Sequence, residues 1–464
     1  MPKKIVSLFL MAVLLLSFTG CQYAQTDGTA SDTRNTSAVT EASVPEKDAT
    51  TVGTEPTTEP ATEATTQATT EVTTVPETQP TSAPETQPET WPEETDLTNL
   101  WTPLCESYIN LRKTPGGSII CQIPLGRTFK VLKWHGQYAL VEYRGRQGYV
   151  TASYIQPADE NYFAKRLQVV KPSIQYTYAQ TLSDMQALQA LYPNLVRLDS
   201  IGKSEWGLDI PVMILGNPNA PKHVLMQGAM HGREHFTTWL LMAIADYSLG
   251  HGYLADQSVC YHIIPMTNPD GVIVSQTESL DDAQRKIYQQ DRAYGYTTDK
   301  LSEYARQWKA NGLGVDLNRN FPSGWAVSAE HPKPSSSRYR GESPLCAAES
   351  KALADYTMSR TFAATLSFHT HGSVLYYRYG NKQPVNDLSY SLALAVQGPT
   401  GYTPVQYDGT TGAGYKDWAM DALGIPSLTI EVGSSETPII RRDMYNSYAR
   451  FEQFLPTISA WLAK

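Results

Sequence analysis

From about residue 165 to residue 464, short apolar runs alternate with longer stretches whose apolar residues recur at helical spacing. The clearest helical stretch is 234–249, which carries an apolar stripe and is followed by Gly250 as a stop signal. Four other runs have the length of strands, at 223–230, 260–267, 362–369 and 426–432. This alternation predicts one large α/β domain over 165–464. The stripe consists of Trp239, Leu240, Ala243, Ile244 and Tyr247.

An earlier segment, 103–157, has a different pattern, in which short apolar runs are separated by glycine-containing turns. Regular short strands with such turns are typical of a small all-β barrel. Asn110-Leu111-Arg112, Pro115-Gly116-Gly117 and Gly148-Tyr149-Val150 resemble segments of bacterial SH3-like domains. The resemblance implies a module that binds the cell wall, and the alternative is a spacer that binds nothing.

The amino-terminal residues 1–21 have the pattern of an export signal. Lys3 and Lys4 precede an apolar run, 5–18, that ends at Thr19-Gly20-Cys21. The run is too short for an ordinary transmembrane helix. Cys21 resembles the lipid-modified cysteine of bacterial lipoproteins, which would attach the exported chain to a membrane at the cell surface. The alternative is a cleaved signal with an incidental cysteine, and a secreted protein.

Residues 22–100 are rich in Thr, Glu, Pro, Ala and Gln and contain almost no large apolar side chain. Such a segment cannot bury enough surface to offset its ordering entropy, so we expect a disordered linker. It holds 15 acidic and two basic residues, a net charge of −13. Since the whole chain carries −9 and Lys3 and Lys4 add two positive charges, residues 101–464 carry +2. Without a cluster of basic residues, we expect no nucleic-acid partner.

The chain has five cysteines, which is few for an exported protein of 464 residues. Cys105 and Cys121 flank one hairpin of the 103–157 segment and could pair, although the sequence does not establish the required geometry. Cys260 and Cys346 are expected to be buried small apolar residues. No C-x-x-C pair is present, so a cysteine-based zinc site is not expected.

Polar residues that could form a zinc active site occur in four short segments. Two imidazoles, His231 and His369, and the carboxylate of Glu234 can hold one Zn²⁺ while a fourth position stays open for water. Both histidines fall at or just beyond the end of a predicted strand, where α/β sheets bind their ligands. Glu431 then remains as a general base. The segments are His231-Gly232-Arg233-Glu234, Asp316-Leu317-Asn318-Arg319, Ser367-Phe368-His369 and Thr429-Ile430-Glu431.

On these segments, and on Thr267-Asn268-Pro269-Asp270-Gly271, the chain from 165 to 464 resembles the zinc carboxypeptidases related to pancreatic carboxypeptidase A. The resemblance implies a mixed-sheet α/β/α domain and one zinc ion per chain. It further implies that Asp316 accepts a hydrogen bond from His231, and that Asn318 and Arg319 bind the terminal carboxylate of a peptide. Glu431 would be the general base and later the acid.

The residues for three functions of that family are less clear in this chain. Lys309, or the nearby Arg306, stands where the family has the arginine that polarises the scissile carbonyl. Tyr407 and Tyr415 are the two candidates for the mobile tyrosine that caps the substrate. Lys416 falls where the side chain of the leaving residue is recognised, and its alternative is a solvated lysine at a helix end.

A second metal arrangement fits the same first segment. His231-Gly232-Arg233-Glu234-His235 matches H-x-x-E-H, in which the two histidines bind zinc from one helix and Glu234 is the base. This arrangement leaves His369 and Glu431 without a role, and it requires a helix through Gly232.

Three functions are compatible with these features. An exported enzyme with an SH3-like module would act on the peptide stems of cell-wall peptidoglycan, as in the γ-D-glutamyl-diaminopimelate peptidases, which are the branch that the sequence most resembles. The second is a scavenging carboxypeptidase that acts on ordinary peptides. The third is a non-catalytic wall-binding protein, which the presence of all three ligands and Glu431 disfavours.

Overall fold

The computed structural model describes residues 100–464, except residues 106, 126, 160, 329–330, 408–411, 434–436 and 440 and the side chains of 441–443. The predicted signal at 1–21, with Cys21, and nearly all of the predicted linker at 22–100 therefore lie outside the described residues. In the part that is described, the helices do not combine the length and apolar character that crossing a bilayer requires.

The amino-terminal part is an all-β domain, as the alternation predicted. Its seven strands form one sheet in the order β3-β2-β6-β5-β4-β1-β7. Leu111, Ile123 and Ile155 are completely buried in its core. Its identity as an SH3-like domain stays a prediction. The strands are β1 (Leu100–Pro103), β2 (Tyr108–Arg112), β3 (Ile119–Pro124), β4 (Phe129–His135), β5 (Tyr138–Tyr143), β6 (Arg146–Thr151) and β7 (Ile155–Pro157).

The larger part is an α/β domain with eight strands and ten helices among the described residues. The strands are β8 (Val196–Lys203), β9 (Asp209–Leu215), β10 (Lys222–Gln227), β11 (Val259–Ile264), β12 (Ala364–His369), β13 (Val374–Tyr376), β14 (Thr403–Val405) and β15 (Ser427–Glu431). The helices are α1 (Tyr178–Leu191), α2 (Phe236–Gly250), α3 (Pro269–Thr277), α4 (Asp282–Ala293), α5 (Leu301–Arg306), α6 (Ala348–Met358), α7 (Val385–Thr400), α8 (Tyr415–Leu423), α9 (Arg441–Ala449) and α10 (Phe454–Leu462).

The eight strands form one mixed sheet in the order β14-β13-β15-β12-β10-β11-β9-β8. The four central strands β15, β12, β10 and β11 are parallel, whereas β9 and β13 run antiparallel to their inner neighbours. These central strands are the four apolar runs of the sequence, which confirms the predicted mixed-sheet architecture. Because the central strands are parallel, their carboxyl ends share one edge, and that edge positions the site described below.

Helices cover both faces of the sheet. Residues of α1, α2, α7, α9 and α10 pack on one face, and residues of α6 and α8 pack on the other. Helix α2 begins two residues later than the predicted stretch, and the apolar stripe describes only part of its buried surface. Every residue from 236 to 249 is buried, so the apolar stripe does not mark a solvent boundary. The core encloses α2 from residue 236 to residue 249.

The cysteines follow the expectations only in part. Cys260 is buried on β11, as expected. Cys346 is exposed, which contradicts the prediction, because it lies in the turn that precedes α6. The thiols of Cys105 and Cys121 are both free in the structure.

The β-domain packs on the α/β domain through one arginine in particular. Arg450 Nη1 donates to the carbonyl of Gly136 in the β-domain (2.6 Å) and to that of Thr400 in the α/β domain (3.2 Å). Its guanidinium lies over the ring of Trp134, 4.7 Å from the ring centroid. Asn446 Nδ2 adds a bond to the carbonyl of Ala152 (2.6 Å). A cavity of about 540 Å³ lies along this contact, between the β4–β5 turn and the start of β13.

Candidate active site

The predicted ligands meet where parallel strands end. His369 is the last residue of β12, and Glu431 is the last residue of β15, directly opposite it in the pairing of the two strands. His231 follows β10, the other neighbour of β12, by four residues. The sequence therefore places three chemically active side chains at one edge of the sheet.

A tight turn brings Glu234 beside His231. His231 is extended (φ −96°, ψ 130°), and Gly232–Glu234 then form one turn of 3-10 helix. A Cβ atom at Gly232 would lie 2.2 Å from the carbonyl oxygen of Gly271 in α3, so only glycine fits there. Asn268 stabilises the turn, because its Nδ2 donates to the carbonyls of Met230 and Ala310, each at 3.0 Å.

The three predicted ligands form a buried cluster. Nδ1 of His231 lies 2.8 Å from Oε1 of Glu234, and Nδ1 of His369 lies 2.9 Å from Oε2 of the same carboxylate. All three residues are at most 5% exposed. Burial favours protonation of Glu234, but the two imidazoles hold its pKa well below its usual range. One atom from each residue can therefore face a common point.

The donor chemistry of this cluster fits a zinc ion. Nε2 of His231 lies 3.2 Å from Oδ1 of Asp316, and because an ionised carboxylate only accepts, the ring proton belongs on Nε2. Nδ1 faces the carboxylate of Glu234, which is another acceptor, and although burial lowers the pKa of His231, the charges of Glu234 and Asp316 raise it overall. A second ring proton on Nδ1, or a metal cation in its place, satisfies this contact. Two imidazoles and one carboxylate with an open fourth position are a usual ligand set of catalytic zinc.

Asp316 is fixed in its predicted position behind His231. It caps the 3-10 turn Leu317–Arg319, with Oδ1 accepting from the Asn318 amide (3.1 Å) and Oδ2 from the Arg338 amide (2.9 Å). Burial favours its protonated form, but the charges of His231 and Arg319 hold its pKa well below the usual range. Asp316 therefore stays ionised and orients the His231 ring.

Glu431 has the environment of a proton acceptor and donor. Its side chain is partly buried, and burial raises its pKa to about 7. The nearby charge of Glu234 acts in the same direction, whereas His369, Lys309 and Arg233 oppose the shift. A carboxyl group with a pKa near neutrality can accept and return a proton at physiological pH.

Two basic residues, Lys309 and Arg233, lie near the carboxylates of Glu234 and Glu431. Nζ of Lys309 is 3.7 Å from Oε1 of Glu234, so Lys309 reaches the predicted zinc site. Arg306 instead makes two hydrogen bonds with Glu303, at 2.7 and 2.9 Å, which engage its guanidinium within α5. Arg233 was missed by the sequence reasoning, although it lies between two predicted ligands. It bonds to Gln307 and lowers the pKa of Glu431.

The Asn318-Arg319 pair lies next to Asp316 on the same turn. Oδ1 of Asn318 accepts from the amide of Tyr415 at 3.2 Å, which fixes its orientation. Nη1 of Arg319 donates to the carbonyl of Asn318 at 3.1 Å. Both side chains are partly exposed and can meet a ligand. Their binding of a substrate carboxylate stays a prediction.

Lys416 is not the solvated helix-end lysine that the sequence offered as the alternative. Its side chain is buried, and Nζ contacts Asp417 Oδ1 at 2.5 Å and the carbonyl of Arg378 at 2.8 Å. The neighbouring Asp417 already balances its charge. Recognition of a leaving side chain by Lys416 stays a prediction, which these contacts do not favour.

The two tyrosine candidates occupy opposite environments. Tyr415 is completely buried, bonds to Thr357 Oγ1 at 3.0 Å and packs against Phe321, so its assignment as a mobile capping residue was wrong. Tyr407 is 56% exposed and lies near Tyr376, whose pKa is raised by burial, by Glu431 and by Tyr407. Tyr407 therefore remains the candidate for that role.

The structure does not favour the inverted arrangement with His235. Because His231 is extended, it does not share a helix with His235, which precedes α2. The cluster of possible ligands contains His369 and not His235. His235 is buried, and burial lowers its pKa to about 4. It is therefore a neutral, buried imidazole between the turn that carries Glu234 and helix α2.

Comparison with known proteins agrees with this geometry. Residues 181–460 match the peptidase M14 family, described as zinc carboxypeptidase. A protein of Lysinibacillus sphaericus named gamma-D-glutamyl-L-diamino acid endopeptidase 1 is 33% identical over 57% of this chain and 67% of its own length. The uncharacterized protein YqgT of Bacillus subtilis (strain 168) is 28% identical over 52% of this chain and 65% of its own. The chain thus spans about two thirds of the length of these relatives.

A solved structure, carboxypeptidase A from Helicoverpa armigera, aligns at 22% identity with a TM-score of 0.47, over 64% of this chain and 75% of that one. The family match at 181–460 covers more than half of the chain. The protein therefore belongs to the zinc carboxypeptidase family and is a metallopeptidase that uses a catalytic zinc ion.

Proposed function

We propose that this metallopeptidase hydrolyses the peptide stems of bacterial cell walls, at the bond between γ-D-glutamate and a diamino acid. The relative from Lysinibacillus sphaericus is named for that specificity. The observation that carries the catalytic part of the proposal is the convergence of His231, Glu234 and His369 within hydrogen-bonding distance at one sheet edge.

In this proposal His231, Glu234 and His369 hold the zinc ion, and Glu431 is the general base. Zinc, when bound, acts as a Lewis acid that polarises a carbonyl and lowers the pKa of water to about 7. Glu431 accepts the proton of the attacking water and returns it to the leaving amine. Asp316 keeps the proton of His231 on Nε2, so that Nδ1 can act as a ligand.

The charges around the site support a substrate with more than one carboxylate. When D-glutamate is linked through its side chain, its α-carboxylate remains free close to the scissile bond. Arg233, which lies near Glu431, can neutralise that group, and Arg319 can bind a second carboxylate on the leaving side. Lys416 has no part in this binding, because Asp417 already balances its charge.

The position of the β-domain supports a polymeric substrate. The cavity of about 540 Å³ is lined by His135 and Tyr138 of the β-domain and by Gly372 of the α/β domain. A Cβ atom at Gly372 would lie 3.7 Å from the Cβ of Glu431, so one residue that lines the cavity is a close neighbour of the proposed base. We propose that the β-domain is an SH3-like module that holds part of a wall substrate in this cavity.

The substrate can be tested with two peptides of equal mass. The full chain, loaded with zinc, is incubated with a stem peptide that contains γ-linked D-glutamate and with an isomer that contains α-linked L-glutamate, and products are identified by mass spectrometry. Cleavage of the γ-linked peptide alone supports the proposal. Release of carboxyl-terminal residues from the α-linked peptide would indicate a scavenging carboxypeptidase. If the folded, zinc-loaded chain cleaves neither peptide, the result would indicate a wall-binding protein without activity.

The role of the β-domain has its own test. Tyr138→Ser should lower kcat/KM on intact wall polymer while leaving turnover of a short stem peptide nearly unchanged, because only the polymer reaches the cavity. The matched control is Tyr108→Ser, since Tyr108 is 46% exposed on β2 and does not line the cavity. Equal effects of the two substitutions on both substrates would contradict the proposal.

We also propose that a lipid on Cys21 holds the exported chain at a membrane. Stable attachment needs more than one acyl chain, as bacterial lipoproteins carry. In cell fractionation, the native chain should partition with membranes, and Cys21→Ala should release it. Finding the native chain wholly in the medium would refute the anchor without affecting the proposed activity.

A further inference from the structure

A second group of metal-binding side chains lies at the other end of the central strands. His223 is the second residue of β10 and pairs in register with Cys260 on β11, and His262 follows two residues later on the same face of that strand. The catalytic cluster lies beyond the carboxyl ends of the strands, whereas this one lies near their amino ends. From His223 to the end of β10 the strand rises by about 13 Å.

The three side chains converge closely. Nδ1 of His223 lies 2.9 Å from Nε2 of His262, and Sγ of Cys260 lies 3.7 Å from the same Nε2. One ligand atom from each residue falls within 4.8 Å of the others. Cys260 and His262 are almost inaccessible, and His223 is half-buried, so an ion could enter past His223.

The residues behind the cluster orient the ligands. Nδ1 of His262 lies 2.7 Å from the hydroxyl of Tyr356, which lies on α6. When this nitrogen donates to the tyrosine oxygen, the lone pair of Nε2 points toward His223 and Cys260. Burial raises the pKa of the Cys260 thiol to about 11, whereas the charges of Arg197 and Arg360 favour its thiolate. A bound ion would replace the thiol proton.

We propose that His223, Cys260 and His262 form a second metal site, distinct from the catalytic one, for a thiophilic ion such as Zn²⁺. One thiolate and two imidazoles are ligands that zinc accepts, and the fourth position is left for water near half-buried His223. The site does not depend on the proposed substrate. It revises the expectation from the sequence that no cysteine takes part in metal binding.

The test uses cobalt, because a thiolate bound to Co²⁺ gives a charge-transfer absorption in the near ultraviolet that imidazole and carboxylate ligands do not give. The full chain is freed of metal and titrated with Co²⁺. We expect two equivalents to bind, one of which produces the thiolate band. The catalytic cluster contains no cysteine, so the band reports only on a site with a thiol.

Variants assign the band to its residues. Cys260→Ser and His223→Gln should abolish it, while Cys121→Ser, which changes a free cysteine of the β-domain, should retain it. His369→Ala should lose one equivalent of Co²⁺ and keep the band. Tyr356→Phe should weaken Co²⁺ binding at this site by about 10- to 100-fold, because the orienting partner of His262 is lost.

Two results would overturn the inference. The first is a native, folded chain that binds one equivalent of Co²⁺ without a thiolate band, which would leave the cluster as a hydrogen-bonded group. The second is a band that survives in His223→Gln and disappears in Cys121→Ser. Circular dichroism of each variant distinguishes a lost site from a lost fold, and the measurement on the native chain does not depend on any variant.

Discussion

Lys309 provides the sharpest test of the catalytic arrangement, because it is a candidate for the role that an arginine has in the family. Its Nζ lies 3.7 Å from Oε1 of Glu234, so Lys309 would be available to stabilise an oxyanion formed beside the predicted zinc site. Lys309→Met removes a charged donor from the oxyanion. Loss of one such donor typically lowers kcat by about 10²- to 10³-fold, or about 2.7–4 kcal/mol. Lys309→Arg should retain most of the rate, since it preserves the charge.

The zinc content separates this effect from damage to the metal site. Opposite charges about 4 Å apart attract by up to ~4 kcal/mol at an effective dielectric constant near 20, and the 26% exposure of the Lys309 side chain reduces that value. This attraction competes with zinc for Glu234, so Lys309→Met should bind zinc at least as well as the native chain.

The assay is single-turnover hydrolysis of the γ-linked stem peptide, with zinc measured on the same samples. Arg306→Met is the matched control, because the Arg306 guanidinium is bonded to Glu303. We expect this variant to change kcat by less than about twofold. If Lys309→Met and Arg306→Met lose equal activity, or if Lys309→Met keeps its full rate, Lys309 is not the oxyanion donor.

Three further predictions follow from the site and the core. His369→Ala should lose zinc while His235→Ala retains it, as measured by metal analysis after dialysis; loss of zinc from the His235 variant would restore the inverted arrangement. Glu431→Gln should keep zinc and bind the substrate but lose most of its turnover, and near-native turnover would refute its role as base. Burial raises the pKa of Glu349 to about 7 from an ordinary value of 4.5, so the native state holds this proton more tightly than the unfolded chain does. The contribution of Glu349 to stability should therefore be fully present below about pH 4.5 and fall by up to ~3 kcal/mol as pH rises to about 7. Urea denaturation of Glu349→Gln between pH 5 and pH 8 should lack this decline, and equal slopes in the two proteins would contradict it.

The convergence of the candidate metal ligands could be predicted from the sequence because their positions follow from local geometry. Glu234 follows His231 by three positions, and one turn of helix brings such a pair together. His369 and Glu431 each end a strand-length apolar run, and parallel strands end at one edge. These relations depend on spacing and strand type, both of which can be read along the chain.

The surroundings of the site could not be predicted, because they depend on which distant residues become neighbours. Lys416 is paired by Asp417 and by a carbonyl 38 residues away, and Tyr415 is buried against Phe321, far from it in the sequence. The pairing of His223 with Cys260 required the order of the strands. Arg306 and Lys309 are three residues apart, yet only one of them reaches the zinc ligands.

The Arg450 guanidinium, which is bonded to both domains, restricts the distance between the β-domain and Glu431, the proposed base. With one side chain bonded to carbonyls of both parts, and with Trp134 beneath it, neither part can turn without breaking the contacts of the other. If the β-domain binds the wall polymer as proposed, the stem that is cut would lie at a set interval from the repeat that is bound.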